Sequence, residues 1–193
     1  MADLEYMLRN HGLDGFIRNL KSIKVSSREN CIGIDWSNNG KFPEFFVAVY
    51  GNYIFTEKSC HSKKRTHNNL YLLNYLQELG FDYKFLTLEE IYLRDKANES
   101  REIAISLLIK SFDRSFSKVI IDGNPPLQSS IDNISNYSGI EKSRIIFEKD
   151  GDRRFPLLNI ADTIAYGFLK AHRHKRENFL NSYERKRIYF PNS

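Results

Sequence analysis

The chain has 193 residues, of which 41% are hydrophobic and 27% are charged. This length and composition are typical of one globular domain with a sizeable core and exclude a chain that is disordered throughout. The sequence contains neither a secretory signal nor an apolar run of about 20 residues that would span a membrane. Its two cysteines are too few for a disulfide framework or a zinc knuckle. The cytoplasm is therefore the expected compartment.

The positive charge is concentrated near the C-terminal end. The net charge is +5, and residues 1–150 hold equal numbers of basic and acidic side chains, so the whole excess lies in residues 151–193. Its densest parts are KAHRHKREN (170–178) and YERKR (183–187). Such a segment can dock on phosphates, or it can be a solvated helix end whose basic side chains favour the negative pole of the helix dipole. Charge alone leaves both interpretations open.

The first 28 residues have the apolar spacing of amphipathic helices, interrupted by Gly12 and Gly15. This spacing predicts two short helices. We interpret residues 1–29 as an N-terminal helical appendage. It is expected to pack on a main domain over residues 30–193, which carries the basic C-terminal tail.

Three strands are predicted at the start of the main domain. The Ile-rich run CIGIDW (31–36) is typical of a buried strand. The runs 44–50 and 53–57 flank Gly51-Asn52, which is a two-residue hairpin signal. The pattern therefore predicts a three-strand meander.

Helical and strand patterns then alternate along the chain. In order, they predict a helix over 68–80, a strand over 83–87, a helix over 99–112, a strand over 118–122, a helix over 127–135, a strand over 144–150 and a helix over 156–174. A meander followed by alternating helices and strands predicts an α/β domain. Its sheet is expected to be mixed and flanked by helices.

Several aspartates are candidate site residues. Asp35 and Asp122 each follow a short apolar run that is read as a buried strand, and ligands of open α/β sheets bind beyond such strand ends. Asp162 lies on a largely apolar helical face, where a carboxylate either raises its pKa or binds a cation. Asp150 and Asp152 lie in the loop just upstream, from which one of them can reach the same cluster. A single aspartate more often forms a turn, but the equivalent positions of Asp35 and Asp122 favour a site.

The donor type indicates which cation such a cluster would bind. Carboxylates without cysteine or an obvious histidine ligand suit hard cations, Mg²⁺ or Mn²⁺. Two such ions about 3.5–4 Å apart activate a water molecule and stabilise the leaving oxygen in phosphodiester cleavage. The aspartates therefore predict a metal-dependent site for phosphodiester chemistry.

Four stretches of the chain occur in a recognisable order: GIDWSNNG (33–40), SKKRT (62–66), VIIDGNPP (119–126) and EKDGDRRFPLLNIADTIAYGFLK (148–170). They resemble the ribonuclease H-like superfamily, and their element order is similar to that of the type 2 ribonucleases H. The first two resemble the family's G-I-D-E-A-G-R-G and S-K-K-L-T. The third resembles the strand with the second aspartate, and the fourth resembles the K-A-D…Y-P-V-V-S-A-A-S-I-L-A-K region.

This resemblance implies the ribonuclease H-like fold and metal-dependent endonucleolytic cleavage of a nucleic-acid strand. By position, Asp35 resembles the first catalytic aspartate and Asp122 the aspartate on the later strand. Asp152 resembles the aspartate that lies four residues before the helix-opening proline. Asp162 is similar to the helical aspartate of other superfamily members.

The chain departs from the type 2 pattern near the first aspartate. Trp36 stands where the family has Glu, and residues 38–40 (Asn-Asn-Gly) replace the G-R-G that grips the backbone at an RNA–DNA junction. These departures indicate a diverged nuclease rather than a junction-specific one. Glu44, Glu89 and Glu90 are alternatives for the missing carboxylate, and their spacing does not choose among them.

The resulting prediction is an endonuclease that cleaves phosphodiester bonds of RNA, DNA or a hybrid by a two-metal-ion mechanism with Mg²⁺ or Mn²⁺. Asp35 and Asp122 are expected to ligate the ions, and Asp152 or Asp162 to complete the site. The candidate nucleic-acid-binding residues are basic: Lys63, Lys64, Arg65, Arg173, Lys175 and Arg176. The alternative is a non-catalytic nucleic-acid-binding or assembly protein that keeps this fold, and it is favoured by Trp36 in place of Glu.

Overall fold

The computed structural model describes residues 29–37, 43–52, 82–89, 97–153, 155–175, 181 and 183–191. Almost all of the predicted N-terminal appendage, the run 53–57 and the helix predicted over 68–80 lie outside the described residues. The elements are β1 (Asn30–Ser37), β2 (Glu44–Asn52), β3 (Asp82–Leu88), α1 (Ala97–Lys110), β4 (Lys118–Asp122), α2 (Ser130–Ser138), β5 (Ile145–Glu148), α3 (Pro156–Arg173) and β6 (Arg187–Ile188). No helix within these ranges is long and apolar enough to cross a membrane.

The strands form one mixed sheet in the order β5-β4-β1-β2-β3-β6. β1 is antiparallel to β2, and β2 is antiparallel to β3, which gives a three-strand meander. The pairs β1–β4, β4–β5 and β3–β6 are parallel. The prediction of an α/β domain with a mixed sheet, a meander and then alternating helices and strands is confirmed. The parallel strands β1 and β4 lie side by side in the middle of this sheet.

The hairpin predicted at Gly51-Asn52 is wrong. β2 continues through both residues, and they pair with Cys31 and Asn30 of β1. The third strand of the meander is β3, which pairs with β2 from Asp82 to Leu88. Pairing along the whole length of β1 satisfies backbone groups of Gly51 and Asn52, which outweighs the local turn preference of the Gly-Asn pair.

The alternation of side chains along the strands divides the core between the two faces of the sheet. On one face, strand residues such as Cys31, Phe45 and Val47 pack against α3. On the other face, residues such as Ile32 and Ile34 pack against α1 and α2. Burying each large apolar side chain contributes roughly 1.5–3 kcal/mol, so both helical layers are held firmly on the sheet. We call these the α3 face and the α1 face.

A glycine in β1 sets how closely α3 approaches the sheet. A Cβ atom at Gly33 would lie 2.6 Å from Leu157 Cβ and 2.8 Å from the Leu157 carbonyl carbon, distances that real contacts do not reach. Only glycine therefore allows the first turn of α3 to lie directly on β1. Further along, the Ser37 hydroxyl donates a hydrogen bond of 3.0 Å to the Ala165 carbonyl. Since Gly33 contacts residue 157 and Ser37 contacts residue 165, α3 runs along β1 in the same direction.

The basic run 183–187 leads into the edge strand of the sheet, since Glu184–Lys186 form a 3₁₀ turn and Arg187 begins β6. β6 pairs in parallel with β3, with Arg187 opposite Phe85 and Ile188 opposite Leu86. The Lys186 ammonium forms a 2.5 Å ion pair with Asp82, and Tyr183 packs against the core on the α3 face. This part of the predicted tail is therefore held at the edge of the sheet.

Candidate active site

The sheet brings two of the predicted site residues to neighbouring strand ends. In the parallel pair β1–β4, Gly33 lies opposite Ile120 and Ile34 opposite Ile121, so Asp35 and Asp122 occupy the next positions. Adjacent strands lie about 4.8 Å apart. Both aspartates share the alternation of residues on the α3 face, since Gly33 contacts α3 and Ile120 packs with Leu158 of α3. Their side chains therefore point to the same face of the sheet.

The other two predicted site residues belong to α3 and to the turn before it. Asp152 lies in the 3₁₀ turn Gly151–Arg153 and is only 8% exposed. Asp162 is partly buried within α3, between the contact of Leu157 with Gly33 and the contact of Ala165 with Ser37. Asp162 thus lies along the length of β1 that includes Asp35. The structure places all four predicted carboxylates on the α3 face.

Two of the carboxyl groups, those of Asp35 and Asp122, have raised pKa values. Asp35 is 7% exposed, and its burial is the main reason that its pKa lies well above the usual value. The charges of Asp162 and Asp122 raise this pKa further, and the charge of Asp152 adds to the increase. Burial also raises the pKa of Asp122, with contributions from the charges of Asp152 and Asp162. Burial and the surrounding negative charge therefore disfavour ionisation of Asp35 and Asp122.

Backbone donors hold two of these carboxylates in place. The Trp36 N–H donates a 2.7 Å hydrogen bond to Asp35 Oδ1, and the Gly151 N–H donates a 2.6 Å hydrogen bond to Asp122 Oδ1. Each of these bonds lowers the pKa of the carboxyl that accepts it, but the net pKa remains raised. The donors therefore orient the carboxylates without supplying a compensating charge.

Gly151 is a site residue that the sequence analysis missed. A Cβ atom at this position would lie 2.5 Å from Leu158 Cδ1 and 3.2 Å from Asp122 Oδ1. The preceding residue, Asp150, has a φ of 54°, in the left-handed region. Together these features bring the chain tightly around the end of β4 and direct the Gly151 N–H at Asp122. The signal in the sequence was the Asp-Gly pair directly after a predicted strand.

Asn159 also supports the site from within α3. It is fully buried, and its Nδ2 donates a 3.0 Å hydrogen bond to the backbone carbonyl of Asp152. The Thr163 hydroxyl in turn donates a 2.7 Å hydrogen bond to the Asn159 carbonyl. The Asn159 side-chain bond fixes the turn that carries Asp152 to the first turns of α3, while the Thr163 bond lies within the helix. The sequence signal is a polar residue on a largely apolar helical face, the same signal that indicated Asp162.

Glu44 does not belong to this cluster. It shares the strand alternation of Phe46 and Ala48, which pack on the α1 face, opposite to Asp35. Its carboxylate receives two hydrogen bonds from Arg101 of α1, at 2.7 and 3.0 Å. Of the other two acidic alternatives, Glu89 is exposed just after β3, and Glu90 lies outside the described residues. Glu44 is therefore a buried ion-pair partner and not the missing carboxylate.

Trp36, which stands where the resembled family has Glu, also lies on the α1 face. Its ring stacks on Phe46, with ring centroids 5.3 Å apart and planes 14° from parallel. The indole is partly buried against the core of that face. A regular strand directs Trp36 away from the carboxylates on the α3 face, so this residue adds an aromatic surface instead of a fifth acid.

The four carboxylates provide only oxygen donors, which suit hard cations. Among the residues that the structure describes, no group of three or more His, Cys, Asp or Glu side chains is arranged as a metal-binding set. The donor chemistry fits Mg²⁺ or Mn²⁺, and the mutual repulsion of the carboxylates is of the kind that a bound cation relieves.

The predicted nucleic-acid-binding residues are described only in part. Arg173 ends α3 and Lys175 follows it, and both side chains are exposed. The ring of His172, next to Arg173, lies 5.9 Å from the ring of Phe45, which pairs with Ser37 at the end of β1. Because Ala165 already lies opposite Ser37, Arg173 lies beyond the carboxyl edge of β1. The other predicted basic residues, Lys63, Lys64, Arg65 and Arg176, lie outside the described residues.

Solved structures share this arrangement of strands and helices. The ribonuclease H2 of Pyrococcus horikoshii OT3 is 19% identical, with a TM-score of 0.59 over 77% of this chain and 76% of that chain. RNase HII of Archaeoglobus fulgidus, in its complex with PCNA, is 14% identical, with a TM-score of 0.54 over 79% of this chain and 76% of that chain. A mutant of Bst-RNase HIII is 14% identical, with a TM-score of 0.54 over 72% of this chain and 51% of that chain.

These similarities establish the fold. The chain has the ribonuclease H-like fold, in a form that has diverged to low sequence identity. No protein-family model and no curated protein matches the chain. The predicted resemblance to the ribonuclease H-like superfamily is confirmed at the level of the fold.

Proposed function

We propose that this chain is a nuclease that cleaves phosphodiester bonds of a nucleic acid with the help of Mg²⁺ or Mn²⁺. The observation that carries the proposal is the cluster of Asp35, Asp122, Asp152 and Asp162, in which burial and neighbouring carboxylate charges raise the pKa of Asp35 and of Asp122. Carboxyl groups with strongly perturbed pKa values are concentrated at functional sites. The ribonuclease H-like fold of the chain supports the same reaction class.

Each carboxylate has a distinct part in this proposal. Asp35 and Asp122, at the ends of adjacent parallel strands, hold the metal ions, and Asp152 or Asp162 completes the ligand set. When bound, such ions supply Lewis-acid stabilisation of the phosphoryl oxygens and lower the pKa of an attacking water. The chain itself orients the carboxylates through the N–H groups of Trp36 and Gly151. Asn159 keeps the Asp152 turn against α3.

The substrate is proposed to bind along the carboxyl edge of β1 and β4. Arg173 and Lys175 are exposed at the end of α3, which runs past this edge. Asp162 and Arg173 are eleven positions apart in α3, or about 17 Å along the helix axis at about 1.5 Å per residue. Basic side chains at that distance can bind phosphates that flank the bond to be cleaved. Lys63, Lys64, Arg65 and Arg176 are proposed to extend this binding surface.

A cleavage assay with matched substrates tests the proposal. End-labelled RNA, DNA and RNA–DNA hybrids of one sequence are incubated with the chain and Mg²⁺ or Mn²⁺, with EDTA as the metal-free control. We expect cleavage of at least one substrate, and Asp35→Asn and Asp122→Asn should each reduce it about a hundredfold or more. Asp113→Asn is the matched control, because Asp113 is an exposed aspartate in the loop before β4. Cleavage that persists in Asp35→Asn would overturn the proposal.

A second candidate is a nucleic-acid-binding protein that keeps the fold without the chemistry. It is favoured by Trp36, which replaces the glutamate of the resembled family and packs on Phe46 as an apolar residue. This candidate predicts that the labelled strands bind but remain intact at every metal concentration. It also predicts that Asp35→Asn leaves strand affinity unchanged.

A further inference from the structure

Trp36 joins the two strand ends that carry the candidate carboxylates. It directly follows Asp35, and its ring stacks on Phe46 of the neighbouring strand β2. At the other end of the indole, a Cβ atom at Gly123 would lie 3.8 Å from Trp36 Cη2. Gly123 directly follows Asp122. The indole therefore lies between Phe46 of β2 and Gly123 at the end of β4.

The environment of this ring differs from that of a core aromatic. Phe46 is fully buried, whereas Trp36 is only partly buried at the edge of the same core. Phe46 covers one face of the indole, so the ring is held in a fixed plane. Gly123, with a φ of 91° that favours glycine, brings main chain without a side chain towards the far edge of the indole. The result is a rigid, partly exposed aromatic ring at the same strand ends as the carboxylates but on the α1 face of the sheet, opposite to them.

We propose that Trp36 is a stacking platform for a nucleobase of the strand whose backbone lies at the carboxylate cluster. This inference rests on the proposed function, since it assigns a base contact to the same site. Aromatic rings bind bases of any sequence through their π-faces. Because Asp35 and Trp36 are consecutive at the end of β1, a strand that crosses this edge of the sheet would place a base on Trp36 and the adjoining phosphate at the carboxylates on the other face. Trp36 would then be a substrate-binding residue, where the resembled family has an acid.

The chain offers a direct optical test, because Trp36 is its only tryptophan. The wild-type chain is titrated in EDTA with short labelled single strands of RNA and of DNA. Label anisotropy reports binding, and intrinsic fluorescence reports Trp36. We expect the fluorescence to fall in proportion to the bound fraction. A strand with the same sugar–phosphate backbone but abasic positions should bind with little quenching.

The two measurements separate the failure of the inference from that of the proposed function. Saturating anisotropy with unchanged Trp36 fluorescence would overturn the stacking platform and leave the nuclease proposal standing. The absence of binding by every strand would overturn the proposed function, and the platform with it. Equal quenching by the abasic strand would also overturn the platform, because quenching would then not require a base.

Variants of Trp36 add a test by affinity. Trp36→Leu keeps an apolar side chain on Phe46 but removes the ring, and it should weaken strand binding about tenfold. Trp36→Phe should retain most of the affinity. In the cleavage assay Trp36→Leu should raise KM more than it lowers kcat. Tyr137→Leu is the matched control, because Tyr137 is 41% exposed on α2. A Trp36→Leu variant with a lower melting temperature but wild-type affinity would show a purely structural role and overturn the inference.

Discussion

Asp35 and Glu44 are both acidic and buried, at 7% and 0% exposure, but their surroundings differ. Glu44 receives a bidentate contact from the Arg101 guanidinium, whereas Asp35 is near three further carboxylates that raise its pKa. A paired buried charge is compatible with a structural role, while a cluster of like charges opposes folding unless a ligand compensates it. The two residues show why burial of an acid alone does not define a site.

Replacing Asp35 by asparagine should stabilise the metal-free protein at neutral pH. The substitution keeps the shape of the side chain and removes a carboxyl group whose ionisation is opposed by burial and by the charges of Asp162 and Asp122. We expect the melting temperature in EDTA to rise by at least about 2 °C, which corresponds to roughly 1 kcal/mol for a chain of this size. The wild-type melting temperature should rise on addition of millimolar Mn²⁺, because the ion binds only the folded state. In Asp35→Asn that rise should be lost.

The control for this measurement is Asp113→Asn, which alters an exposed aspartate. It should leave both the metal-free melting temperature and the response to Mn²⁺ unchanged. A wild-type protein whose melting temperature does not respond to Mn²⁺ would contradict the metal site. A response that persists in Asp35→Asn would place the ion elsewhere.

At the scale of elements, the bounds of strands and helices were predicted most accurately where the sequence pattern was long or strongly apolar. The strand predicted over 118–122 coincides with β4, and the helix predicted over 156–174 differs from α3 by one residue. Asp35 and Asp122 were indicated because each ends such an apolar run. The close approach of Gly33 to α3 and the contact of Gly151 with Asp122 depend on tertiary packing, which no local pattern contains. The Gly51-Asn52 hairpin failed for the same reason, since strand pairing outweighed a local turn signal.

Gly33→Ala should displace α3 and disturb the site without touching any carboxylate. The new methyl group would lie 2.6 Å from Leu157 Cβ and 2.8 Å from its carbonyl carbon, so the backbone of α3 has to move. Overpacking of this kind costs typically about 1–3 kcal/mol. Because α3 carries Asp162 and anchors Asp152, we expect the rise in melting temperature with Mn²⁺ to shrink as well. Thermal denaturation with and without Mn²⁺ measures both effects.

Gly139→Ala provides the comparison. Gly139 has a φ of 77° after α2, and nothing lies within 4 Å of an added Cβ. The substitution should therefore cost about 1 kcal/mol through backbone strain alone. Its response to Mn²⁺ should remain that of the wild type. If both variants lost the metal response equally, general destabilisation would explain the loss, and displacement of α3 would not be its cause.

At the scale of the whole molecule, charge ties the C-terminal strand to the sheet. Lys186 forms an ion pair with Asp82 and lies 5.6 Å from the centroid of the Tyr83 ring. Burial raises the pKa of Asp82, but the hydrogen bond and charge of Lys186 outweigh it, and the net pKa lies below its usual value. Part of the positive charge of residues 151–193 therefore stabilises the pairing of β6 with β3 at the edge of the sheet.

Lys186→Met should therefore lower stability in a pH-dependent way. The pKa of Asp82 is lower in the folded state, so the pair stabilises the fold above the unfolded value of about 3.9, and this stability is lost as the pH falls through the folded pKa. At pH 7 we expect a loss of up to about 1 kcal/mol in the free energy of unfolding. The loss should shrink at acidic pH, leaving only the part due to the Tyr83 contact. In the Asp82→Asn background the pH dependence should be absent, and its persistence there would contradict the assignment.

The remaining basic residues at the end of α3 are expected to bind nucleic acid. Arg173 and Lys175 are exposed beyond the carboxyl edge of β1, and Arg176 follows in the sequence. Each phosphate that they neutralise releases counterions, so the logarithm of the affinity falls with the logarithm of the salt concentration by about 0.9 per phosphate on a duplex and about 0.7 on a single strand. Replacing these three residues with Ala should weaken binding. It should also make the slope of log affinity against log salt shallower, by up to the amount that corresponds to about three phosphate contacts.

A control triple variant removes the same charge from the opposite end of the sheet. Lys110, Lys118 and Lys142 are exposed, and Lys118 begins β4 while Asp122 ends it. Substituting these three lysines with Ala should leave most of the salt slope intact. If the two triple variants reduced the slope equally, binding would follow net charge alone. An unchanged slope in the Arg173, Lys175 and Arg176 variant, with stability lower by a few tenths to about 1 kcal/mol, would mean that these residues only complement the dipole of α3. A selective loss would instead place the strand beside the cluster, because α3 carries both Asp162 and this basic end.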